Sequence, residues 1–242
     1  MKIAVLSSTS GKVNRGVERV VYELCRRWKR KNSVRIFKSK LIPRKILKWQ
    51  PDIVIPMNRG LQAILVRFYC WISSAKMVVS GQAGYKDRQS LLVRPDLYIA
   101  LTERNATWAR KYAFGVPVEV IPNGVDLRRF QPKGRKIKLN ITPPIILCVA
   151  GPERYKRVEE TIQAVTQLKQ GSLLLAGGSQ QQEFFGQKLL GGRFLRQQFK
   201  HKQMPAVYRL ADVFTLASKD SEAFGTAYLE ALGQRLAGGC PG

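Results

Sequence analysis

The chain has 242 residues and a formal net charge of +26, from 42 Lys and Arg against 16 Asp and Glu. Its hydrophobic content of 45% excludes general disorder, and its length allows one large or two modest α/β domains. The excess of positive charge predicts an anionic partner: a bilayer, a nucleic acid or a phosphorylated substrate.

The cysteine spacing and the lengths of the apolar runs indicate which kinds of site and which cellular location are compatible with the sequence. The four cysteines have no CxxC spacing, and the single histidine, His201, has no cysteine neighbour, which argues against a zinc site. Scattered cysteines with apolar neighbours are typical of reduced thiols in a cytosolic protein. The apolar runs are too short for a signal peptide or a membrane-spanning helix. We therefore expect a cytoplasmic protein that, if it meets a membrane, lies on the inner face.

The first half of the chain alternates between strand and helix patterns. After a first strand and a loop with glycines, apolar residues recur at i, i+3, i+4 and i+7 from Val17, which predicts a helix. Thr102 is placed to cap the helix that carries Trp108. The predicted strands are Lys2–Leu6, Val34–Phe37, Asp52–Pro56, Lys76–Ser80, Leu97–Leu101 and Val118–Ile121.

One segment of this half is strongly basic. From Arg26 to Lys48 there are eleven bases and no acid, with aromatic and aliphatic residues such as Trp28 and Ile46 interleaved. An anionic membrane surface or a nucleic-acid backbone favours such a pattern. Solvated surfaces of a helix, a strand and a second helix explain it equally well. We expect anionic lipid rather than nucleic acid, because no nucleic-acid-binding motif is present.

A second α/β pattern follows a basic, proline-flanked stretch. Residues 132–144 read as a linker between a first lobe, 1–131, and a second lobe, 145–242. Short apolar strands separated by amphipathic helices predict two parallel, doubly wound, Rossmann-like sheets with a ligand cleft between their carboxyl edges. In the second lobe, strands are predicted at Pro144–Val149, Ser172–Ala176 and Asp212–Ala217, and helices from Val158, at Gln180–Leu189 and from Met204.

The candidate site follows the strand Asp212–Ala217. Gly225 and Thr226 would open a helix whose free N–H groups suit a diphosphate. Glu222 would precede that helix, and Glu230 would lie in its second turn, where a carboxylate can accept hydrogen bonds from a ribose diol. A charged loop followed by an ordinary amphipathic helix is the alternative interpretation.

The spacing Glu222-x7-Glu230 around Phe224-Gly225 resembles the Glu-x7-Glu element of retaining two-lobe nucleotide-sugar glycosyltransferases, family four or group one. This family has the GT-B fold. Three further segments agree in order and spacing over nearly the whole chain: Gly16–Leu24, Val120–Asp126 with Arg129-Phe130, and Lys156–Val158.

The resemblance implies transfer of a sugar from a nucleotide-sugar donor to a glycan, a lipid-linked sugar or a small glycoside, with retention of anomeric configuration. It implies no cofactor and no obligatory metal, since Lys and helix dipoles neutralise the leaving diphosphate. The resemblance implies that Lys156 contacts the diphosphate and that the N–H groups of Phe224, Gly225 and Thr226 contact phosphate or sugar oxygens. It implies that Glu222 holds sugar hydroxyls near the anomeric carbon and that Glu230 holds the ribose. It also implies that Gly16 lets the backbone approach the phosphates closely.

Three features depart from the family pattern. Ala150-Gly151 stands where the family often has Gly-Arg, so one positive donor contact is missing; Arg154 and Arg157 are candidate substitutes. The loop 81–85 has no histidine, and His201 is expected to cap or pack. The tail after Glu230 is rich in glycine and has no hydrophobic strand, which predicts an incomplete second lobe and a truncated chain of doubtful activity. The alternative function is an inactive fragment that only binds a membrane or a polyanion.

Overall fold

The computed structural model describes residues 1–8, 16–219 and 223–239. The chain divides into two compact units, Met1–Asn123 and Gly124–Gly242. Each unit is built on one sheet, and all its strand pairs are parallel. This confirms the predicted α/β class with two Rossmann-like sheets.

The first unit contains a six-stranded sheet in the order β2-β1-β3-β4-β5-β6. Its strands are β1 (Lys2–Leu6), β2 (Ser33–Phe37), β3 (Ile53–Pro56), β4 (Lys76–Ser80), β5 (Leu97–Ala100) and β6 (Val118–Val120). Its α-helices are α1 (Gly16–Trp28), α2 (Arg44–Trp49), α3 (Leu61–Ser73), α4 (Arg88–Leu92) and α5 (Glu103–Tyr112).

Helices cover both faces of this sheet. Alternate residues of β1 point to opposite faces: Ile3 and Val5 pack with the buried residues of α1, whereas Ala4 and Leu6 pack with those of α2, α3, α4 and α5. The predicted cap of α5 is confirmed, since the Thr102 hydroxyl accepts a hydrogen bond from the Asn105 amide at 3.1 Å.

The second unit contains a five-stranded sheet in the order β11-β10-β7-β8-β9. The continuous apolar run of β8 is buried along five residues, as expected for a strand covered on both faces. The strands are β7 (Ile145–Ala150), β8 (Ser172–Gly177), β9 (Phe194–Gln197), β10 (Val213–Thr215) and β11 (Ala237–Gly239). The α-helices are α6 (Val158–Thr166), α7 (Gln180–Leu190), α8 (Met204–Leu210) and α9 (Thr226–Gly233).

The stretch expected to be a linker packs on the second unit. Phe130 is 2% exposed in the core of that unit. Residues 132–144 follow it across the same surface: the Ile137 amide donates to the Ala206 carbonyl at 3.1 Å, and the Arg209 guanidinium donates to the Gln131 and Arg135 carbonyls. The boundary therefore lies at residue 123 rather than 131, because apolar residues spaced among the bases bury against the second core.

The tail has no hydrophobic strand, as expected, yet it forms a short strand of alanine and glycine. Backbone groups of Ala237–Gly239 pair in parallel with β10, so β10 has a neighbour on both sides. A parallel ladder is made by N–H and C=O groups, which glycine also carries, so an apolar sequence is not required. The sequence also gave no signal for β9, a short strand with two polar residues.

Candidate functional site

Three loops meet at the carboxyl edge of the second sheet. They follow the adjacent strands β10, β7 and β8. The Lys219 amide donates to the Tyr155 carbonyl at 2.8 Å, which joins the loops after β10 and β7. The Gly178 amide donates to the Ala150 carbonyl at 2.8 Å, which joins the loop after β8 to the last residue of β7. Loops at this edge are where doubly wound sheets bind ligands.

Glycine is required where β8 ends. Gly177 has a φ of +116°, and a Cβ there would collide with the Ala150 carbonyl oxygen. A larger residue would push β8 away from β7 and open the edge that the loops share.

Lys156 lies in the loop after β7. A 3₁₀ turn, Arg154–Lys156, carries it, and Arg157 with a φ of +49° turns the chain into α6. The Lys156 ammonium lies 5.3 Å from the Tyr155 ring centroid. Burial raises the pKa of the Cys148 thiol on β7 to about 12, and the Lys156 charge opposes that shift. Lys156 is half-buried, and its charge acts on Cys148 within β7.

An acidic side chain lies beside the position where the family often has arginine. A Cβ on Gly151 would collide with the Glu153 carboxylate, which fills the space that a side chain at 151 would take. Residue 151 therefore supplies no positive charge, and the adjacent charge is negative. The compensating bases predicted at this point, Arg154 and Arg157, flank the same turn.

The start of α9 provides backbone N–H groups at the same edge. Gly225 precedes the helix with a φ of +71° and has no side chain to accept from the first turn. The Tyr228 hydroxyl donates to the Leu216 carbonyl, and its ring packs edge-on against Phe214 at 5.4 Å. These contacts hold α9 against β10, with the amides of Phe224, Gly225 and Thr226 at its positive end.

Glu230 is held by two side chains that the sequence analysis did not connect with it. The Tyr208 hydroxyl donates to Glu230 Oε2 at 2.9 Å, and His201 Nε2 lies 3.4 Å from Oε1. The carboxylate is 18% exposed. Burial and the Glu230 charge raise the pKa of Tyr208 well above its ordinary value, so the phenol stays a donor. The remaining lone pairs of the carboxylate can accept from a ligand diol.

His201 packs, as expected, and also bridges two charged groups. Arg129 Nη2 lies 3.0 Å from His201 Nδ1. Because a guanidinium only donates, Nδ1 accepts and the ring proton belongs on Nε2, which donates to Glu230. The ring also packs edge-on against Phe130 at 5.7 Å. Arg129, from the stretch preceding the second sheet, thus contributes to the position of Glu230.

The ribose contact that the resemblance implies for Glu230 predicts that Glu230→Gln raises the donor KM about tenfold, since a hydrogen bond to a charged group contributes about 1.5 kcal/mol or more. Turnover should change less than KM. Tyr208→Phe, which removes the donor to Oε2 and the longer contact with the Ala227 carbonyl, should raise KM in the same direction by a smaller factor. Initial rates over a donor concentration series measure both, and a fall in turnover at unchanged KM would contradict the assignment.

Two predicted site residues are placed less completely. Gly16 begins α1 in the first unit, and the loop 9–15 before it lies outside the described residues. Glu222 lies outside them as well. Among the described residues, no three His, Cys, Asp or Glu side chains group closely enough to hold a metal ion. The expectation that transfer needs no metal stays a prediction.

The loop after β4 in the first unit contains a buried carboxyl that the sequence analysis missed. Asp87 is 4% exposed and accepts a hydrogen bond from the Ala83 amide at 3.0 Å. Burial raises the pKa of Asp87 to about 6, opposed by that amide and by the Arg59 cation. No spacing in the sequence marks this residue, because its burial depends on how the loop folds over β4 and β5.

Asp87 makes the stability of the first unit depend on pH. The pKa of Asp87 is near 4 in the unfolded chain and about 6 in the folded chain. The contribution of Asp87 to the free energy of unfolding is therefore fully present below pH 4 and is lost as the pH rises through 6. Asp87→Asn should therefore gain up to about 3 kcal/mol relative to wild type between pH 4 and 7. Urea unfolding followed by tryptophan fluorescence measures this unit alone, because all four tryptophans lie in it. A pH-independent difference would contradict the expectation.

The comparisons with known proteins agree with the geometry. Residues 130–237 match the family of glycosyl transferases group 1. No curated protein matches the sequence. Among solved structures, Anabaena Alr3699/HepE in complex with UDP and glucose has a TM-score of 0.74 at 14% identity, covering 98% of this chain and 80% of that one.

Two further structures have the same fold. A glycosyltransferase from Rickettsia africae ESF-5 has a TM-score of 0.68 at 16% identity, covering 99% of this chain and 78% of that one. AviGT4, a glycosyltransferase involved in avilamycin A biosynthesis, has a TM-score of 0.66 at 14% identity, covering 100% of this chain and 79% of that one. At these identities the likeness establishes the GT-B fold.

Proposed function

We propose that this chain, whose residues 130–237 match the family of glycosyl transferases group 1, transfers a sugar from a nucleotide-sugar donor with retention of anomeric configuration. The C1–O bond to the diphosphate breaks and the nucleoside diphosphate leaves with the electron pair. A bond from C1 to an acceptor oxygen forms, and the acceptor proton passes to the leaving diphosphate. The observation that carries this proposal is the junction of the Lys156 loop with the loop leading to α9, through the 2.8 Å bond from Lys219 to Tyr155.

The proposed roles follow from the charges of the side chains and from the direction of the backbone N–H groups at the start of α9. Lys156 and the amides at the start of α9 stabilise negative charge on the leaving diphosphate without a metal. Glu230, held by Tyr208 and His201, receives the ribose diol. Glu222 keeps the role near the anomeric carbon that the resemblance implies. The acceptor is a glycan, a lipid-linked sugar or a small glycoside.

Direct binding tests the proposal. Because Alr3699/HepE was crystallised with UDP and with UDP-glucose, uridine diphosphate sugars are the first donors to try. Isothermal titration of the full chain should give saturable binding with one donor per chain that survives moderate salt. Inorganic diphosphate at the same concentration serves as the control. Equal binding of both, lost steeply as salt rises, would instead support the alternative of a polyanion-binding module.

A further inference from the structure

Helix α3 exposes an apolar stripe along its length. Leu61, Ile64, Phe68, Trp71 and Ile72 are 54–75% exposed and recur at helical spacing. The opposite side of the helix is buried in the core of the first unit, so α3 is apolar on both sides. An exposed apolar surface of this kind marks an interaction site.

Two helices on the same face of the sheet as α3 carry bases and no acid. The buried residues of α2 and α4 join those of α3 in one cluster, which places the three helices on one face of the sheet. The sequences of α2 and α4 are RKILKW and RQSLL, and none of the three helices contains Asp or Glu. Of the acids around these helices, Asp87 is buried, and Asp96 is paired with Arg67 and Lys76. Glu103, on α5 of the same face, is exposed and lies 3.9 Å from Arg110.

This face accounts for only part of the basic segment Arg26–Lys48. Lys29 and Lys31 follow α1, which packs on the opposite face of the sheet. Lys45 and Lys48 lie on α2, which packs on the same face of the sheet as α3. The two ends of the segment therefore lie on different faces, and only the second end shares the face of the apolar stripe.

We propose that α3 lies in the surface of an anionic lipid bilayer, with Phe68 and Trp71 among the acyl chains and the bases of α2 and α4 at the headgroups. A surface helix with an apolar side and basic neighbours binds in this orientation. A second copy of the chain is a poor occupant, because pairing this face with itself would bring the bases of α2 and α4 in two copies together. No helix in the described ranges is long and apolar enough to span a bilayer.

Vesicle co-sedimentation with the full chain tests this surface independently of sugar transfer. Vesicles of phosphatidylcholine alone are compared with vesicles of phosphatidylcholine and phosphatidylglycerol in equal amounts. The wild-type chain should prefer the anionic vesicles, and Phe68→Ser with Trp71→Ser should weaken that binding roughly tenfold or more. Phe184→Ser is the matched control, since Phe184 is 75% exposed on α7 of the other unit; it should bind like wild type.

Two matched pairs of charge-reversal substitutions compare the contributions of the two sheet faces to vesicle binding. Lys45→Glu with Lys48→Glu should weaken binding more than Lys29→Glu with Lys31→Glu, although both pairs change the net charge equally. Circular dichroism checks that each variant is folded. In the conservative variant Trp71→Phe, binding should be retained while the blue shift of tryptophan emission on adding anionic vesicles is reduced.

Four results would overturn the proposal. One is equal binding to neutral and anionic vesicles, and another is an unchanged affinity of the Phe68/Trp71 double variant. A third is tighter binding to duplex DNA or to an acidic protein than to anionic vesicles, with dependence on the same stripe. The last is dimerisation through the stripe without lipid, seen as a change in sedimentation coefficient between wild type and the double variant.

Discussion

Glu222→Gln is expected to reduce turnover by about two to three orders of magnitude while the donor KM stays within about twofold, because an electrostatic contact made at the reacting centre stabilises the transition state more than the bound substrate. The substitution keeps the size and the hydrogen-bonding oxygen of the side chain and removes its charge. That charge is expected where the anomeric carbon becomes positive as its bond to the diphosphate breaks.

The measurement is the rate of donor hydrolysis or transfer at saturating donor concentration, monitored by the release of the nucleoside diphosphate. Glu103→Gln is a matched control on α5 of the first unit, where the carboxylate is 79% exposed. It should leave turnover unchanged. Normal turnover in the Glu222 variant, or a loss that is confined to KM, would remove this residue from the catalytic role.

Lys156→Met is expected to weaken donor binding by about 10- to 100-fold, which corresponds to the loss of one charge-assisted hydrogen bond of about 1.5–3 kcal/mol. Methionine keeps most of the aliphatic length that packs beside Tyr155, so the loop should keep its shape. Turnover should also fall, since the leaving diphosphate gains charge as the glycosidic bond breaks.

Titration with the nucleoside diphosphate alone isolates the contribution of the cation to binding. Lys169→Met, at an exposed position after α6, makes the same change of charge away from the sheet edge. Its affinity should match that of wild type. Equal losses in the two variants would mean that Lys156 acts only through the net charge of the protein.

The periodic parts of the fold could be predicted from the sequence. Buried parallel strands such as β7 and β8 are continuous apolar runs, and the start of α9 at Thr226 follows from the glycine before it. The strands that could not be predicted, β9 and β11, were not recognised for physical reasons. The sequence Phe194–Gln197 gave no strand signal for β9, and the glycines of β11 pair through backbone groups that carry no side-chain signal.

The environment of Glu230 could not be predicted in the same way. Its partners Tyr208 and His201 lie 22 and 29 residues away along the chain. Only the packing of α8 and the preceding turn against α9 brings them together. The resemblance to a family named Glu230 but gave no account of what holds it. Asp87 is a similar case in the first unit, since its raised pKa depends on burial by the folded loop.

The path of residues 124–144 decides where this chain can be recombined with a relative. A chimera joined at 144 would separate the second sheet from Phe130, which fills its core, and from Arg129, which bonds His201. The guanidinium of Arg209 would also lose the native carbonyls of Gln131 and Arg135. A crossover between Asn123 and Gly124 keeps all of these groups together. Exchange of the second unit between members of this fold thus depends on transferring residues 124–144 along with the sheet that they cover.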